Sequence, residues 1–222
     1  MNETHPISIA IDGPSGAGKS TLARLATTLR FLYVDTGAIY RTIAYYAYAN
    51  HLDPADEAAV LAALPNIRIE LCHDAEGLQR MILNGEDVTD AIRLPQISQY
   101  ASVVSAYPGV RAFLLEMQRD FARKGSVIMD GRDIGTVVLP DADVKVYLTA
   151  SVETRAKRRF LELQEKGEPT DLAKIAADIE DRDYRDMHRD ISPLRQAEDA
   201  TLVDSSNMTI EQVVERILEL CR

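Results

Sequence analysis

The chain has 222 residues, 46% of them hydrophobic and 27% charged, which is ordinary for a soluble globular protein with one large domain or a core with an insertion. A formal net charge of −10 argues against general binding to nucleic acid or to membrane surfaces. Cys72 and Cys221 fit no metal-binding spacing, so we expect two reduced thiols in a cytoplasmic protein. No apolar run approaches the roughly 18 residues of a membrane span, and the first residues lack the basic-then-apolar pattern of a secretory signal, so we expect neither feature.

A glycine-rich segment directly follows the first predicted strand. Isoleucines at 7, 9 and 11 alternate with small residues, which predicts a short buried strand. Residues 13–20 have the sequence GPSGAGKS, a complete P-loop pattern, and apolar residues recur with helical spacing between 22 and 29. Glycines let successive backbone N–H groups point inward and form an anion-binding nest at a helix N-terminus. We therefore expect this segment to bind a nucleoside triphosphate.

Phosphate and metal ligands can be assigned within and beyond this segment. Lys19 would contact the β- and γ-phosphates, and the Ser20 hydroxyl would bind Mg²⁺. Asp130 ends a later apolar strand and resembles the acid that holds Mg²⁺ or one of its waters in P-loop proteins, although it could simply cap the following turn. The candidate ATP-binding residues of the segment are Gly13, Pro14, Ser15, Gly16, Ala17, Gly18, Lys19, Ser20 and Thr21.

Short apolar strands alternate with helices along the chain, which predicts an α/β fold with a parallel sheet covered on both faces. Strands are predicted at 7–11, 31–34, 126–130, 144–148 and 200–203, and helices at 21–29, 38–50, 55–64, 108–124, 152–166, 172–190 and 209–220. The stretch from 67 to 84 differs, because two alternating runs flank a turn and predict a β-hairpin. Asn84-Gly85 is a second turn signal directly after it.

The hairpin divides the predicted organisation into three parts. Residues 1–64 would form the first part of the core, with the P-loop and a second polar turn at 35–37. Residues 65–107 would form a small inserted lobe. Residues 108–222 would complete the core and include an arginine-rich helical lid at about 155–195.

The last long predicted helices carry a concentration of arginine. Arg182, Asp186 and Arg189 are spaced at i, i+4 and i+7, so they would share one helix face. Phosphoryl transfer needs mobile cations over the γ-phosphate, and such a face would supply them. A solvated face of ion pairs is the alternative, and the interleaved acids disfavour RNA binding. The arginines of the predicted lid are Arg155, Arg158, Arg159, Arg182, Arg185 and Arg189.

Two further arginines, Arg41 and Arg132, each follow the end of a predicted strand by a few residues. Because the carboxyl ends of parallel strands meet at one edge of a sheet, both would lie on the P-loop side. Two guanidinium groups there could bind a second phosphate bidentately, although ordinary surface arginines remain an alternative. Ser102 and Arg111 carry no chemical signal of their own.

Four motifs together resemble the bacterial cytidylate kinases in order and spacing: IAIDGPSGAGKST, DTGAIYR, DGRDIGTVV and RDYRDMHRDISPL. The resemblance covers essentially the whole chain, including the hairpin insertion, and the second and third motifs are more specific than the P-loop. Arg30 departs from that family's pattern, in which glycine often ends the first helix. A left-handed cap is therefore not expected at this position.

The resemblance implies a role for each matching position. Asp35 and Thr36 would lie at the acceptor nucleoside, Arg41 and Arg132 at its phosphate, and Ser102, Arg111 and Asp133 at the cytosine ring. Arg182 and Asp186 would hold the ribose hydroxyls, Arg189 would bridge the two phosphates, and Arg158 would help to hold ATP. Lys19, Arg132, Arg182 and Arg189 are the catalytic candidates, and Asp130 is also a candidate for substrate binding.

The sequence thus predicts a P-loop nucleoside monophosphate kinase. It would transfer the γ-phosphate of ATP to CMP or dCMP, in line and with Mg²⁺, without a covalent enzyme intermediate. We expect a monomer whose partners are these small nucleotides. One alternative is a related kinase for another nucleotide or a sugar acid. Another is a nucleotide-dependent switch, which would have no use for the arginines outside the P-loop and for which the guanine-selecting NKxD pattern is missing.

Overall fold

The computed structural model describes residues 5–18, 20–75 and 77–221, without the side chains of residues 20, 21, 23 and 24. Its larger sheet has five parallel strands in the order β2-β6-β1-β7-β8. These strands are β1 (Ser8–Asp12), β2 (Leu32–Asp35), β6 (Val127–Gly131), β7 (Val144–Thr149) and β8 (Thr201–Asp204). A smaller antiparallel sheet contains β3 (Ile69–His73), β4 (Gln79–Leu83) and β5 (Glu86–Asp87). The predicted α/β class and parallel sheet are confirmed.

Helices connect these strands. The α-helices are α1 (Ser20–Leu29), α2 (Thr36–Ala49), α3 (Glu57–Ala63), α4 (Pro95–Val104), α5 (Pro108–Arg123), α6 (Val152–Glu165), α7 (Leu172–His188) and α8 (Ile210–Leu220). Short 3₁₀ helices cover Leu64–Asn66 and Ala91–Arg93, and a single π-helical turn covers Ile134–Val138. Thr209 caps α8 in a capping box with Gln212.

The chain forms two compact units, one made of Met1–Leu32 with Ser126–Arg222 and the other of Tyr33–Gly125. In the first unit, the central strands β1 and β6 are buried almost throughout, as expected for parallel strands covered on both faces. In the second unit, α2 packs against α4, and Tyr48 meets Tyr100 edge to face. The three-part division into 1–64, 65–107 and 108–222 stays a prediction.

Two backbone features differ from the sequence predictions. Arg30 adopts a φ of +57° after α1, so the left-handed cap is present although glycine is not. Its expected absence is therefore wrong: a non-glycine residue can occupy this region at a modest steric cost. The turn at Asn84 and Gly85 is confirmed, with φ angles of +51° and +89°, and it leads into β5, a strand too short to be predicted from alternation.

Candidate active site

The P-loop leaves β1 at Asp12 in the first unit. A Cβ atom on Gly13 would lie 1.9 Å from the carbonyl oxygen of Leu148, so only glycine fits there. Gly16 and Gly18 have φ angles of +80° and +115°, which permit the inward-pointing N–H groups of an anion nest. The backbone of Ser20 begins α1. Lys19 lies outside the described residues, as do the side chains of Ser20 and Thr21, so their roles stay predictions.

Two arginines of α6 hold the P-loop in place through hydrogen bonds. The Arg155 guanidinium donates to the carbonyl oxygens of Ser15 at 3.1 Å and Ala150 at 2.9 Å, and to Asp183 Oδ2 at 2.6 Å. Arg158 donates to Ser205, whose hydroxyl in turn donates to the Ala17 carbonyl oxygen at 2.9 Å. The lid prediction missed this positioning role, because it depends on packing between residues far apart in sequence.

The lid arginines of α6 are thus not alike. Arg155 is buried, whereas Arg158 donates to Ser205, which contacts the P-loop. The predicted contact of Arg158 with ATP stays a prediction. Arg159 makes an exposed ion pair with Glu162 one turn along the same helix. That pair matches the solvated-surface alternative, and nothing in its contacts suggests phosphate binding.

A second polar segment leaves β6 beside the P-loop. Asp130, on β6, is completely buried, and Asp133 is buried immediately before the π-helical turn. The Asp12 carboxylate accepts hydrogen bonds from the backbone N–H groups of Ile134 at 2.7 Å and Gly135 at 2.8 Å. Asp12 therefore ties the end of β1 to the segment that carries Asp133.

The most buried charged contact of this segment joins Arg132 to Asp186 on α7. Arg132 Nε donates to Asp186 Oδ2 at 2.8 Å, and only 14% and 7% of the two side chains are exposed. Burial alone would raise the pKa of the Asp186 carboxyl. The positive charges of Arg132, Arg182 and Arg189, with the Arg132 hydrogen bond, outweigh burial and hold that pKa below its usual value. These three cations therefore surround one ionised carboxylate.

The predicted helix face is only partly correct. Arg182 and Asp186 lie on α7, but the helix ends at His188, and Arg189 follows it with an extended backbone. Arg189 Nε donates to the Ser192 carbonyl oxygen at 2.8 Å, in a turn where Ser192 has a φ of +50°. Placing Arg189 on the helix face was wrong, because the chain leaves the helix to make this turn. Arg185 remains exposed and contacts the backbone of its own helix.

In the second unit, residues 35–41, which we name the acceptor loop, form one hydrogen-bonded structure. Asp35 Oδ1 accepts from the Ala38 N–H at 3.1 Å and so caps α2, and Asp35 Oδ2 accepts from Arg41 Nη2 at 2.8 Å. Thr36 is buried as the first residue of the helix. A Cβ on Gly37 would lie 2.9 Å from Asp35 Oδ1 and 3.1 Å from Arg41 Nη1. The spacing of this motif therefore has a structural reason.

Ser102 and Arg111 also lie in the second unit. Arg111 is buried, donates to the Ser105 carbonyl oxygen at 2.9 Å, and lies 5.3 Å from the centre of the Tyr40 ring. The Ser102 hydroxyl oxygen is buried and has no hydrogen-bond partner among the described residues. A buried hydroxyl of this kind is suited to a polar ligand. Only the family resemblance identified these two residues from the sequence.

A divalent cation would rely on few protein ligands in this chain. Within the described residues, no group of three or more His, Cys, Asp or Glu side chains could hold a metal. The buried Asp130 carboxylate supplies the hard oxygen chemistry that Mg²⁺ prefers, and Mg²⁺ commonly takes its remaining ligands from water and phosphates. The described residues therefore fit a cation that arrives with a nucleotide. None of the helices, as far as they are described, is long and apolar enough to cross a membrane.

Comparison with known proteins identifies the family. The family model described as cytidylate kinase matches residues 9–222. The cytidylate kinase of Lactobacillus gasseri is 52% identical over 213 residues, covering 96% of this chain and 92% of that protein. The cytidylate kinase of Caldicellulosiruptor saccharolyticus is 50% identical over 215 residues, covering 96% and 95%.

Among solved structures, an uncharacterized protein from Eubacterium ventriosum matches with a TM-score of 0.54 at 12% identity, covering 96% of each chain, and this likeness concerns the fold alone. The family assignment depends on the sequence matches, which extend over nearly the whole chain. The chain therefore belongs to the cytidylate kinase family and is a nucleoside monophosphate kinase that uses ATP.

Proposed function

We propose that the chain transfers the γ-phosphoryl group of ATP to CMP or dCMP, giving CDP or dCDP, and that it requires Mg²⁺. One observation about where the candidate residues lie supports this proposal. The P-loop and the segment with Arg132 and Asp133 start at paired positions of neighbouring parallel strands, Asp12 opposite Gly131. The Gly13 N–H donates to the Gly131 carbonyl oxygen at 3.3 Å. A donor phosphate site and candidate acceptor ligands thus begin side by side.

On the donor side, the backbone N–H groups of residues 13–18 and the Lys19 ammonium would bind the ATP phosphates. The Ser20 hydroxyl and, through a water, the Asp130 carboxylate would hold Mg²⁺, which neutralises phosphate charge when bound. Arg158 would support this side through Ser205 and the Ala17 carbonyl. The buried contacts of Arg155 would keep the loop in its binding conformation before ATP arrives.

On the acceptor side, Arg41 and Arg132 would bind the CMP phosphate, each oriented by a carboxylate. Asp35 holds Arg41 at 2.8 Å, and Asp186 holds Arg132 at 2.8 Å, so both guanidinium groups are oriented before substrate binds. The remaining acceptor contacts follow the family pattern. Asp35 and Thr36 would contact the nucleoside, Ser102, Arg111 and Asp133 the cytosine ring, and Arg182 and Asp186 the ribose.

The chemistry needs position and positive charge more than covalent participation. The acceptor phosphate oxygen and the γ-phosphate are both negative, so cations must offset their repulsion as the bond forms. Arg189 would bridge the two phosphates, and Lys19, Arg132 and Arg182 would neutralise charge as it moves to the leaving ADP. Closure of the segment from α6 to residue 195 would exclude water, which would otherwise hydrolyse ATP.

A coupled assay of ADP release tests this proposal. Purified protein is supplied with ATP and Mg²⁺, with CMP, dCMP, UMP, GMP or a sugar acid as acceptor, and with no acceptor. We expect turnover with CMP and dCMP and little hydrolysis without an acceptor. Lys19→Met should keep the fold and lose about 10²–10³ in rate, the usual cost of one transition-state contact.

Other outcomes of the same assay would contradict the proposal. Turnover with another acceptor but not with CMP would indicate a related kinase. Hydrolysis that is equally fast with and without acceptors would indicate a nucleotide switch. Undiminished kcat in folded Lys19→Met would exclude the P-loop as the donor site. Light scattering on the same samples tests the expected monomer.

A further inference from the structure

The hairpin of the second unit contacts the acceptor loop through one pair of side chains. His73 on β3 and Gln79 on β4 lie directly opposite each other in the antiparallel register. The Gln79 Oε1 atom accepts from the Asp35 backbone N–H at 2.7 Å, and its Nε2 atom donates to the Asp35 carbonyl oxygen at 3.2 Å. His73 Nε2 lies 2.9 Å from the Tyr33 carbonyl oxygen, a distance at which a protonated Nε2 donates.

These contacts take the place of the hydrogen bonds that a neighbouring strand would make. Tyr33 and Asp35 are two residues apart on β2, so their backbone polar groups point to the same side. β2 is the edge strand of the five-stranded sheet. An edge strand presents unpaired backbone groups, and here two side chains of the hairpin satisfy three of them. The hairpin therefore positions the backbone at which the acceptor loop begins.

The residue held in this way is the one on which the acceptor loop depends. The Asp35 side chain caps α2 through Oδ1 and orients Arg41 through Oδ2. Any shift of the Asp35 backbone would therefore move the cap and the guanidinium together. Both Asp35 and Gln79 are half-buried, so water could replace the lost hydrogen bonds without unfolding the unit.

We propose that His73 and Gln79 are positioning residues for acceptor binding: they hold Asp35 so that Arg41 is oriented for the CMP phosphate before CMP binds. This inference rests on the proposed function, because it takes residues 35–41 as the acceptor phosphate site. Neither side chain needs to touch the substrate. The hairpin thereby sets the affinity for CMP and leaves the affinity for ATP unchanged.

The test compares Gln79→Ala, Gln79→Glu and the control Arg80→Ala in the full-length protein. Arg80 neighbours Gln79 on β4 but makes an exposed ion pair with Asp87. We expect Gln79→Ala to raise the KM for CMP about tenfold, the scale of two lost hydrogen bonds, with the KM for ATP within about twofold. Gln79→Glu preserves the shape but turns an oxygen toward the Asp35 carbonyl, so its KM for CMP should rise at least as much. Arg80→Ala should match the wild type.

A merely structural role would give a different pattern. Lost stability would lower the Tm and the fraction of active protein while leaving the KM for CMP of the folded molecules unchanged. That pattern in Gln79→Ala, or a KM for CMP within twofold of wild type in both Gln79 variants, would overturn the inference. An equal rise in Arg80→Ala would overturn it too, because any change in the hairpin would then suffice.

Arg41→Ala separates failure of the inference from failure of the proposed function. If Arg41→Ala raises the KM for CMP and Gln79→Ala does not, the loop binds the acceptor but the hairpin does not position it. If Arg41→Ala itself leaves that KM unchanged, the acceptor loop is not the phosphate site, and the proposed function of this segment fails. When both variants raise it, the double variant should fall short of the product of the single effects, because both act through Arg41.

Discussion

The P-loop and the acceptor loop are held in place by different kinds of contact. The P-loop contacts groups that are distant in sequence: Ser15 and Arg155 are 140 positions apart, and Ala17 and Ser205 are 188 positions apart. Arg155 and Ser205 are buried. The acceptor loop is tied mainly by the pair of Asp35 and Arg41, six residues apart, whose side chains are 26% and 22% exposed. Gln79 adds the longer-range contacts, over 44 residues.

This difference predicts how each loop responds to damage. Buried charged contacts between distant residues form only when the whole unit is folded, so removing one affects stability and the P-loop together. Partly exposed local contacts contribute little to stability, because water can replace them. Substitutions around the acceptor loop should therefore change affinity in a protein that stays folded. The P-loop geometry, in contrast, should be inseparable from the stability of its unit.

The largest effect is expected for Arg155→Ala. It leaves the Asp183 carboxylate buried without its cation, and removing one partner of such a pair typically costs about 3–5 kcal/mol of unfolding free energy. For a chain of this size the Tm should fall by roughly 6–20 °C. The KM for ATP should rise as well, because Ser15 loses its hydrogen bond. Thermal denaturation and steady-state kinetics measure the two effects.

Two further variants sharpen this result. Arg159→Ala, on the same helix but in an exposed pair, should change stability by only about 0–1 kcal/mol. The double variant Arg155→Ala with Asp183→Ala should recover part of the lost stability, because the unpaired charge is gone. It should not recover the affinity for ATP. A Tm unchanged in Arg155→Ala would remove the distinction between the two loops.

The next effect concerns catalysis more than folding. Arg189→Ala should lower kcat by about 10²–10³ and raise the KM for ATP much less, if its contacts are strongest in the transition state. Arg185→Ala is the matched control, since Arg185 is exposed on the preceding turn of the chain. Steady-state kinetics with CMP distinguishes the two. An unchanged kcat in Arg189→Ala would mean that Arg189 only holds the turn at Ser192.

Base discrimination should change by a smaller amount in Asp133→Asn. A carboxylate accepts from the amino group of cytosine and repels the corresponding carbonyl of uracil, whereas an amide can donate to that carbonyl. The preference for CMP over UMP should fall roughly tenfold to a hundredfold, equivalent to about 1–3 kcal/mol. The ratio of kcat/KM values for the two acceptors measures it, with the exposed Asp141→Asn as control. Equal losses for both acceptors would mean that Asp133 supports the shape of the site only.

The same contrast explains what the sequence could predict. The motifs at 13–20 and 35–41 could be recognised because the residues of each lie within a few positions of one another, and their binding roles stay predictions. The alternation and helical spacing of apolar residues likewise predicted the five parallel strands and the hairpin. Arg155 was grouped with the lid because the pattern shows its spacing on the helix but not its neighbours. The pairing of Arg132 with Asp186, 54 residues apart, also depends on the tertiary fold.

Local detail was missed where tertiary contacts override sequence preference. The π-helical turn at Ile134–Val138 forms where the Asp12 carboxylate binds its first two N–H groups, a contact over more than 120 residues. α7 ends at His188, two residues before the predicted end, and the Leu194 N–H donates to the Asp186 carbonyl oxygen at 2.8 Å. Neither contact has a signature in a short window of sequence.

The smallest expected effect is on the acid dependence of stability, which involves a different carboxylate in each unit. The pKa of Asp186 is lower in the folded protein than its usual value, because the charges of Arg132, Arg182 and Arg189 and the Arg132 hydrogen bond outweigh burial. A carboxyl of this kind stabilises the fold fully above its unfolded pKa of about 3.9, and that contribution is lost as the pH falls through the lower folded value.

Urea denaturation between pH 3 and 7 measures this dependence, and Asp186→Asn should weaken the loss of stability below about pH 4. In the other unit, the exposed Asp87 has its pKa lowered to about 2 by hydrogen bonds from the Thr89 side chain and backbone and from Arg80. Asp87→Asn should therefore also weaken the loss of stability below about pH 4, without involving any buried arginine. If Asp186→Asn leaves the acid dependence unchanged, the Arg132–Asp186 pair is not the acid-sensitive contact of the first unit.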